Sequence, residues 1–195
     1  MGDLNDNQEH FARLRSLLGG ESTQANFVQI LQLLASWESK DLLLFAVDYA
    51  EEHLASWEDE SRFARELECW DGIQENAPWL RLIKAVRFCG MKIWDGLEED
   101  EDAEFLQLVQ ADNLCSLKSL GLESFYPSEE ALHLFACTKH FSGLEKLSFF
   151  PLNTFTANCF ENSPVLSTEI RTFFRTEAEF LETEDGFWMS IAGGI

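Results

Sequence analysis

The stretch Leu-Lys-Ser-Leu-Gly-Leu at residues 117–122 places apolar side chains at its first, fourth and sixth positions. Related stretches occur at 83–88, 144–149 and 170–175, although Arg175 replaces the last apolar residue of the fourth copy. Successive copies begin 34, 27 and 26 residues apart. A period in this range is typical of stacked strand-and-helix units, each of which buries its apolar face against its neighbours. We therefore predict four short parallel strands, one in each copy.

Helical patterns follow three of these copies. They lie at residues 104–111, 128–141 and 156–166, and the middle one begins with the helix-start signal Ser128-Glu129-Glu130. The last is the weakest, because Pro164 interrupts it. We expect these helices to return the chain on the outer side of the strands.

The first eighty residues show helical periodicity instead. Apolar side chains recur at spacings of three and four over 8–18, 23–34, 41–54 and 60–70, which predicts four helices. A boundary is expected near Pro78, since proline disfavours helix in the residue before it. The predicted fold is therefore α/β, with a helical N-terminal region at 1–78 and a repeat region at 79–195. The two regions form either separate units or one continuous unit.

Composition limits the classes of protein to which this chain can belong. Its 195 residues are 46% apolar, as in globular proteins, and no apolar run approaches the roughly 18 residues that span a bilayer. The five cysteines are odd in number and scattered, which favours reduced thiols over a disulfide framework. The acidic N-terminus does not resemble a secretory signal. These features predict a cytoplasmic protein.

The net charge of −21 limits the partners of the chain. Such a field repels nucleic-acid phosphates and anionic membranes, and it speeds encounters with basic partners. We therefore predict no direct binding to nucleic acid and no membrane association. The expected partner is another protein.

The stretches at 117–122 and 144–149, with a helix between them, resemble leucine-rich repeat proteins, and the resemblance covers residues 80 to about 176. It implies a short solenoid with parallel strands on a concave face and helices on the convex face. It also implies that the strand face binds proteins or peptides. The Asn that usually follows the last signature residue is replaced by other residues, so the implied solenoid is irregular. The replacements are Met91, Phe125, Leu152 and Ala178.

Half of the fourteen cationic side chains lie in or beside the predicted strands. Because side chains alternate across a strand, most of them are expected on the face opposite the apolar positions. This pattern predicts a basic ladder that binds an acidic peptide or protein segment. The alternatives are internal pairing with the acidic loop at 95–102 and simple solubility of a strand edge. The predicted binding residues are Lys84, Arg87, Lys118, Lys146, Arg171 and Arg175, and Arg81 lies beside them.

The sequence gives little support to catalysis or to a metal site. His133, Cys137 and His140 have the spacing of one helical stripe and suit zinc, but a closed structural site needs four ligands. The acidic run at 95–102 lacks the ligand alternation of a calcium loop. We predict no catalytic residues, no metal, no cofactor and no enzymatic activity.

An apolar segment ends the chain, where repeat proteins usually carry a polar cap. It either folds back over the last repeat or docks in another protein, and its anchors are Phe187, Trp188, Met189 and Ile191. The predicted function is a non-enzymatic interaction module that acts as an adaptor, inhibitor or regulatory subunit. The alternative is an acidic inhibitor that mimics nucleic acid and occupies the groove of a nuclease or DNA-binding protein.

Overall fold

The computed structural model describes residues 2–89, 101–124, 126–150 and 152–181. Within these ranges the chain forms a mixed α/β fold with eight α-helices and one four-stranded parallel sheet. A single cluster of buried apolar side chains extends from Leu14 in the first helix to Ala178 in the last. None of the helices in these ranges has the length and apolar character that a bilayer crossing requires.

The N-terminal region is helical, as predicted. Its helices are α1 (Gly2–Leu18), α2 (Gln24–Ala35) and α3 (Lys40–Leu54). Thr23 caps α2, because its side-chain oxygen accepts a hydrogen bond from the Asn26 amide at 3.3 Å. In the same way Ser39 caps α3 by accepting a bond from the amide of Leu42 at 3.5 Å.

The prediction of a fourth helix over 60–70 is wrong in its first half. A short 3-10 helix at Asp59–Arg62 leads into strand β1 (Phe63–Arg65), and α4 (Glu66–Gln74) begins only after the strand. The buried Arg62 explains the difference, because its Nε donates a hydrogen bond to the carbonyl of Leu82 at 2.8 Å. That bond and the pairing of β1 with the next strand override the local helical periodicity.

The sheet contains three of the four signature copies, so the parallel strands predicted there are confirmed. Its further strands are β2 (Ala85–Cys89), β3 (Ser119–Glu123) and β4 (Lys146–Phe150). The four strands lie side by side in chain order, and all pairs are parallel. Because β1 pairs with β2, the sheet extends across residue 78.

Each strand is preceded by a 3-10 helix and followed by an α-helix. The other 3-10 helices are Pro78–Leu82, Asp112–Leu114 and Lys139–Gly143, and the other α-helices after strands are α5 (Glu101–Gln110), α6 (Glu129–Cys137) and α7 (Thr154–Glu161). Neighbouring helices pack through buried aromatic rings. Phe135 on α6 lies 5.7 Å from Phe105 on α5 and 5.6 Å from Phe160 on α7, between ring centroids.

The fourth signature copy is not a strand, and that prediction is wrong. Residues 170–175 belong to helix α8 (Thr168–Leu181), which packs against α7. Ile170, Phe174 and Ala178 are buried at a spacing of four, whereas Phe173 of the signature is half-exposed. A helical stripe therefore accounts for the burial better than the repeat pattern does, and Phe174 contacts Phe160 at 4.8 Å.

Two predictions concern residues that the structure does not describe. The C-terminal anchors Phe187, Trp188, Met189 and Ile191 lie outside the described residues, as does most of the acidic run at 95–102. The end of that run belongs to α5, which begins at Glu101.

Candidate binding surface

Alternate residues of the strands divide the sheet into two faces. One face is buried in the core, where the register aligns Ala64, Val86, Leu120 and Leu147. The opposite face, which we call the strand face, carries several exposed residues, among them Arg65, Arg87 and Lys146. Its residues are Phe63, Arg65, Ala85, Arg87, Ser119, Gly121, Glu123, Lys146, Ser148 and Phe150.

Two of the predicted binding residues lie on the strand face. Arg87 on β2 has a side chain that is 62% exposed, and its Nε lies 3.3 Å from the Oε1 of Glu123 on β3. Lys146 on β4 is exposed and makes no ion pair within the described ranges. The strand alternation read from the sequence therefore placed these two cations on the correct face.

Lys84 and Lys118 each lie one position before a strand. Backbone hydrogen bonds join them in a row with Glu145: the Lys118 amide donates to the Lys84 carbonyl, and the Glu145 amide donates to the Lys118 carbonyl, each at 2.8 Å. Lys84 is half-buried, and its Nζ donates to the Ser116 carbonyl at 3.2 Å. Burial lowers the pKa of Lys84, and the nearby Arg62 charge lowers it further. Lys84 therefore contributes mainly to local structure.

Lys118 forms an ion pair with Glu145, with 2.6 Å between Nζ and Oε1. This hydrogen bond raises the pKa of Lys118 and lowers the pKa of Glu145. Both groups are solvent-exposed, so the pair contributes little to stability. An external carboxylate can therefore compete for Lys118 at small cost.

The remaining predicted cations are elsewhere. Arg171 and Arg175 lie on α8 and not on a strand, so their predicted position on the strand face is wrong. The Nε of Arg175 lies 2.9 Å from the Oε1 of Glu161 on α7. Arg81 pairs with Asp48 and Glu51 of α3, which joins the N-terminal helices to the segment before β2.

Arg65 is the residue that the sequence prediction missed. It is exposed on β1, aligned with Arg87 on β2, and it has no ion-pair partner among the residues that the structure describes. The sequence carried one faint signal for it. Ala64 precedes Val86 by 22 residues, close to the repeat interval, but only one residue there fits the apolar signature.

The centre of the strand face is made of small residues. Ala85, Ser119, Gly121 and Ser148 occupy its middle positions. A Cβ added at Gly121 would lie 3.2 Å from the Ser148 hydroxyl and 3.4 Å from the Cγ of Arg87. Glycine inside a strand often marks close approach of another chain or a ligand. At Gly121 the absent side chain lets Arg87 and Ser148 pack closely over the strand.

The strand face and the row before it are locally basic in a protein of net charge −21. Apart from the buried Arg62, which begins the row, they hold five cations and two carboxylates, a net charge of +3, and the nearby Asp59 and Glu51 oppose part of this charge at Lys84. The cations are Lys84, Arg65, Arg87, Lys118 and Lys146, and the carboxylates are Glu123 and Glu145. The positive charge of these residues favours an anionic ligand here.

The His and Cys residues considered for zinc do not share one helix. α6 ends at Cys137, and His140 lies in the following 3-10 helix, 3.3 Å from Asp112. Instead His133 lies 3.4 Å from the sulfur of Cys159 on α7, beside a cavity of about 220 Å³. Burial raises the pKa of the Cys159 thiol, which disfavours a nucleophilic thiolate. Within the described ranges no three such side chains form a metal-binding group.

Comparison of the chain with family models, with curated proteins and with solved structures finds no match. The function is therefore inferred from the geometry and charge of the strand face.

Proposed function

We propose that this protein is a non-enzymatic interaction module that binds an acidic peptide or protein segment along the strand face. The observation that carries the proposal is the set of exposed cations Arg65, Arg87 and Lys146 on strands β1, β2 and β4, in a molecule whose net charge is −21. An adaptor, inhibitor or regulatory subunit would use such a face. Opposite charges would set the register of the bound segment.

The proposal includes an architecture: an irregular leucine-rich-repeat-like solenoid that continues from the N-terminal helices. Four features support it. The strands follow one another in chain order, all pairs are parallel, a 3-10 helix precedes every strand, and an α-helix follows every strand. Helix α8 would then close the C-terminal end of the stack through the contact of Phe174 with Phe160. Terminal elements that differ from the repeats are usual in such stacks.

The charge distribution also sets how binding depends on salt. An acidic partner meets repulsion from the whole molecule at long range and attraction from the strand face at short range. Because the Debye length is about 8 Å at physiological ionic strength, salt screens the long-range repulsion more than contacts made on the sheet. We expect slow association at low salt and moderate affinity, since exposed ion pairs contribute about 0.2–1 kcal/mol each.

The test uses a fluorescein-labelled peptide of ten alternating Glu and Ser residues, with fluorescence anisotropy as the readout. In the variant Lys118→Glu with Lys146→Glu we expect affinity to fall roughly tenfold or more, from two charge reversals at exposed sites. The single variant Lys146→Glu checks the result without disturbing the Lys118–Glu145 pair.

The matched control is Arg13→Glu with Lys40→Glu, two exposed positions on α1 and α3 that change the total charge by the same amount. It should leave the affinity within about twofold. Equal losses in both double variants would show a response to total charge and would refute a site on the strand face. A wild-type protein that ignores the acidic peptide but binds a ten-residue Lys and Ser peptide would instead support the nucleic-acid mimic.

A further inference from the structure

Two arginines stand side by side on the strand face. The register aligns Arg65 on β1 with Arg87 on β2, and neighbouring strands are about 4.8 Å apart. Like charges at directly opposed strand positions are destabilising. The Glu68 carboxylate accepts a hydrogen bond from the Arg65 backbone amide at 2.7 Å, but the Arg65 guanidinium makes no ion pair within the described part of the chain. Such a pair is suited to an oxyanion that both guanidinium groups contact.

Arg87 already contacts a carboxylate from its own chain. Its Nε lies 3.3 Å from the Oε1 of Glu123, a separation longer than that of a strong charge-assisted hydrogen bond. The stem of Arg87 lies close to Gly121, with Cγ 3.4 Å from the position that a Cβ would take there. Glu123 therefore holds Arg87 over the small centre of the face, where an incoming oxyanion would meet it.

We infer that Arg65 and Arg87 form a two-arginine subsite for a single oxyanion side chain of the bound segment, either a carboxylate or a phosphoryl group, and that Glu123 competes with it. This inference rests on the proposed function and names the chemical group that the strand face recognises in the bound segment. Guanidinium groups present paired donors that match carboxylate and phosphate oxygens. A phosphoryl group carries a charge of about −1.5 to −2, so it would displace Glu123 more readily than a carboxylate does.

The test compares two labelled ten-residue peptides of Ser and Glu, which differ only in a central Glu or phosphoserine. Glu123→Gln removes the competing charge and should tighten both peptides three- to tenfold. Arg65→Gln should weaken both by five- to tenfold, whereas Arg65→Lys, which keeps the charge but not the paired donors, should recover only part of the loss. Arg13→Gln is the control for loss of an exposed arginine.

A double variant separates competition from a general charge effect. If Glu123 acts through Arg87, the gain from Glu123→Gln disappears in Glu123→Gln with Arg87→Gln. The same gain in both backgrounds would overturn the competition. Tighter binding of the phosphoserine peptide identifies a phosphoryl group as the preferred oxyanion, and tighter binding of the Glu peptide identifies a carboxylate.

Failure of the subsite can be told apart from failure of the proposed function. One outcome is that the peptides bind the wild type with an affinity that Lys146→Glu lowers but that Arg65→Gln and Glu123→Gln leave unchanged. That result would refute the subsite and leave the strand face as the binding surface. A wild-type protein that binds neither peptide would overturn both proposals. Circular dichroism and the thermal midpoint of every variant show that the fold is retained.

Discussion

Replacement of Phe135 by Ala should remove the side chain that joins three successive units of the fold. The ring is fully buried and its centroid lies 4.8 Å from Phe141, 5.6 Å from Phe160 and 5.7 Å from Phe105. These partners come from the next 3-10 helix, from α7 and from α5. The substitution therefore weakens contacts on both sides of α6 at once.

The expected loss follows from the burial and the ring contacts. Burying a phenylalanine side chain contributes about 1.5–3 kcal/mol, and each well-placed aromatic pair adds roughly 0.5–1.5 kcal/mol. The cavity left by truncation adds to the loss, and measured Phe→Ala changes in cores are about 3–5 kcal/mol. We expect the free energy of unfolding to fall by about 4 kcal/mol, a large share of the roughly 5–15 kcal/mol typical of a domain.

Urea unfolding followed by circular dichroism at 222 nm measures this change. Phe135→Leu, which keeps most of the apolar volume but loses the three ring pairs, should cost clearly less than Phe135→Ala. Leu134→Ala is the matched control, because the adjacent Leu134 side chain is 49% exposed and its truncation should change the free energy of unfolding by about 0.5 kcal/mol or less. Losses of similar size for Phe135→Ala and Leu134→Ala would refute the packing that we assign to α6.

Two further predictions concern buried polar groups. Arg62→Ala leaves the Leu82 carbonyl without its 2.8 Å hydrogen bond and should lower the free energy of unfolding, measured by urea titration, by about 1–3 kcal/mol. The control Arg13→Ala, at an exposed position, should change it by less than about 0.5 kcal/mol. Similar values for both variants would contradict the role of Arg62. Burial lowers the pKa of His140 below its usual 6.5, despite the opposing effect of Asp112. As the pH falls, the unfolded chain therefore binds a proton at this residue before the folded chain does. The free energy of unfolding should keep the full contribution of His140 above about pH 6.5 and decrease below it. In His140→Phe the decrease in the free energy of unfolding between pH 7.5 and 5.5 should be shallower than in the wild type, and identical slopes would show that His140 does not titrate in this way.

Local signals were sufficient for the elements that the sequence predicted correctly. The helices α1, α2 and α3 have apolar stripes and clear end signals, such as the Thr23 cap. Strands β2, β3 and β4 carry the signature, whose first, fourth and sixth residues became buried. The repeat interval then implied parallel neighbours, because successive units can bury their apolar faces only against each other.

The errors occurred where tertiary contacts decide the structure. Strand β1 has only three residues, and its conformation depends on pairing with β2 and on the hydrogen bond from Arg62 to Leu82. Residues 170–175 fit the signature and a helical stripe equally well, since apolar positions three or four apart suit both. Helix α8 is set by the fit of Phe174 against Phe160, which sequence spacing does not contain.

On the candidate surface too, local sequence signals predicted some features and tertiary contacts decided the others. Alternation along the strands was enough to place Arg87 and Lys146, whereas Arg65 became visible only once β1 was known. The pairing of Arg87 with Glu123 and of Lys118 with Glu145 joins residues 36 and 27 positions apart, and it depends on the register between strands. The positions of these residues in the sequence do not predict which of them form ion pairs.

Pairing with the acidic loop at 95–102 and solubility of a strand edge were the competing explanations for the cations near the strands, and most of that loop lies outside the described residues. Other carboxylates pair with Arg81, Arg87, Lys118 and Arg175, each of which has a carboxylate oxygen within 4.0 Å. Within the described residues the side chains of Arg65 and Lys146 make no such ion pair. Solubility does not explain these cations either. A chain of net charge −21 is already highly charged, and two arginines opposed across a pair of strands repel each other. The two unpaired cations lie on the first and last strands of the sheet, so a bound acidic segment that neutralises both has to cross the whole strand face.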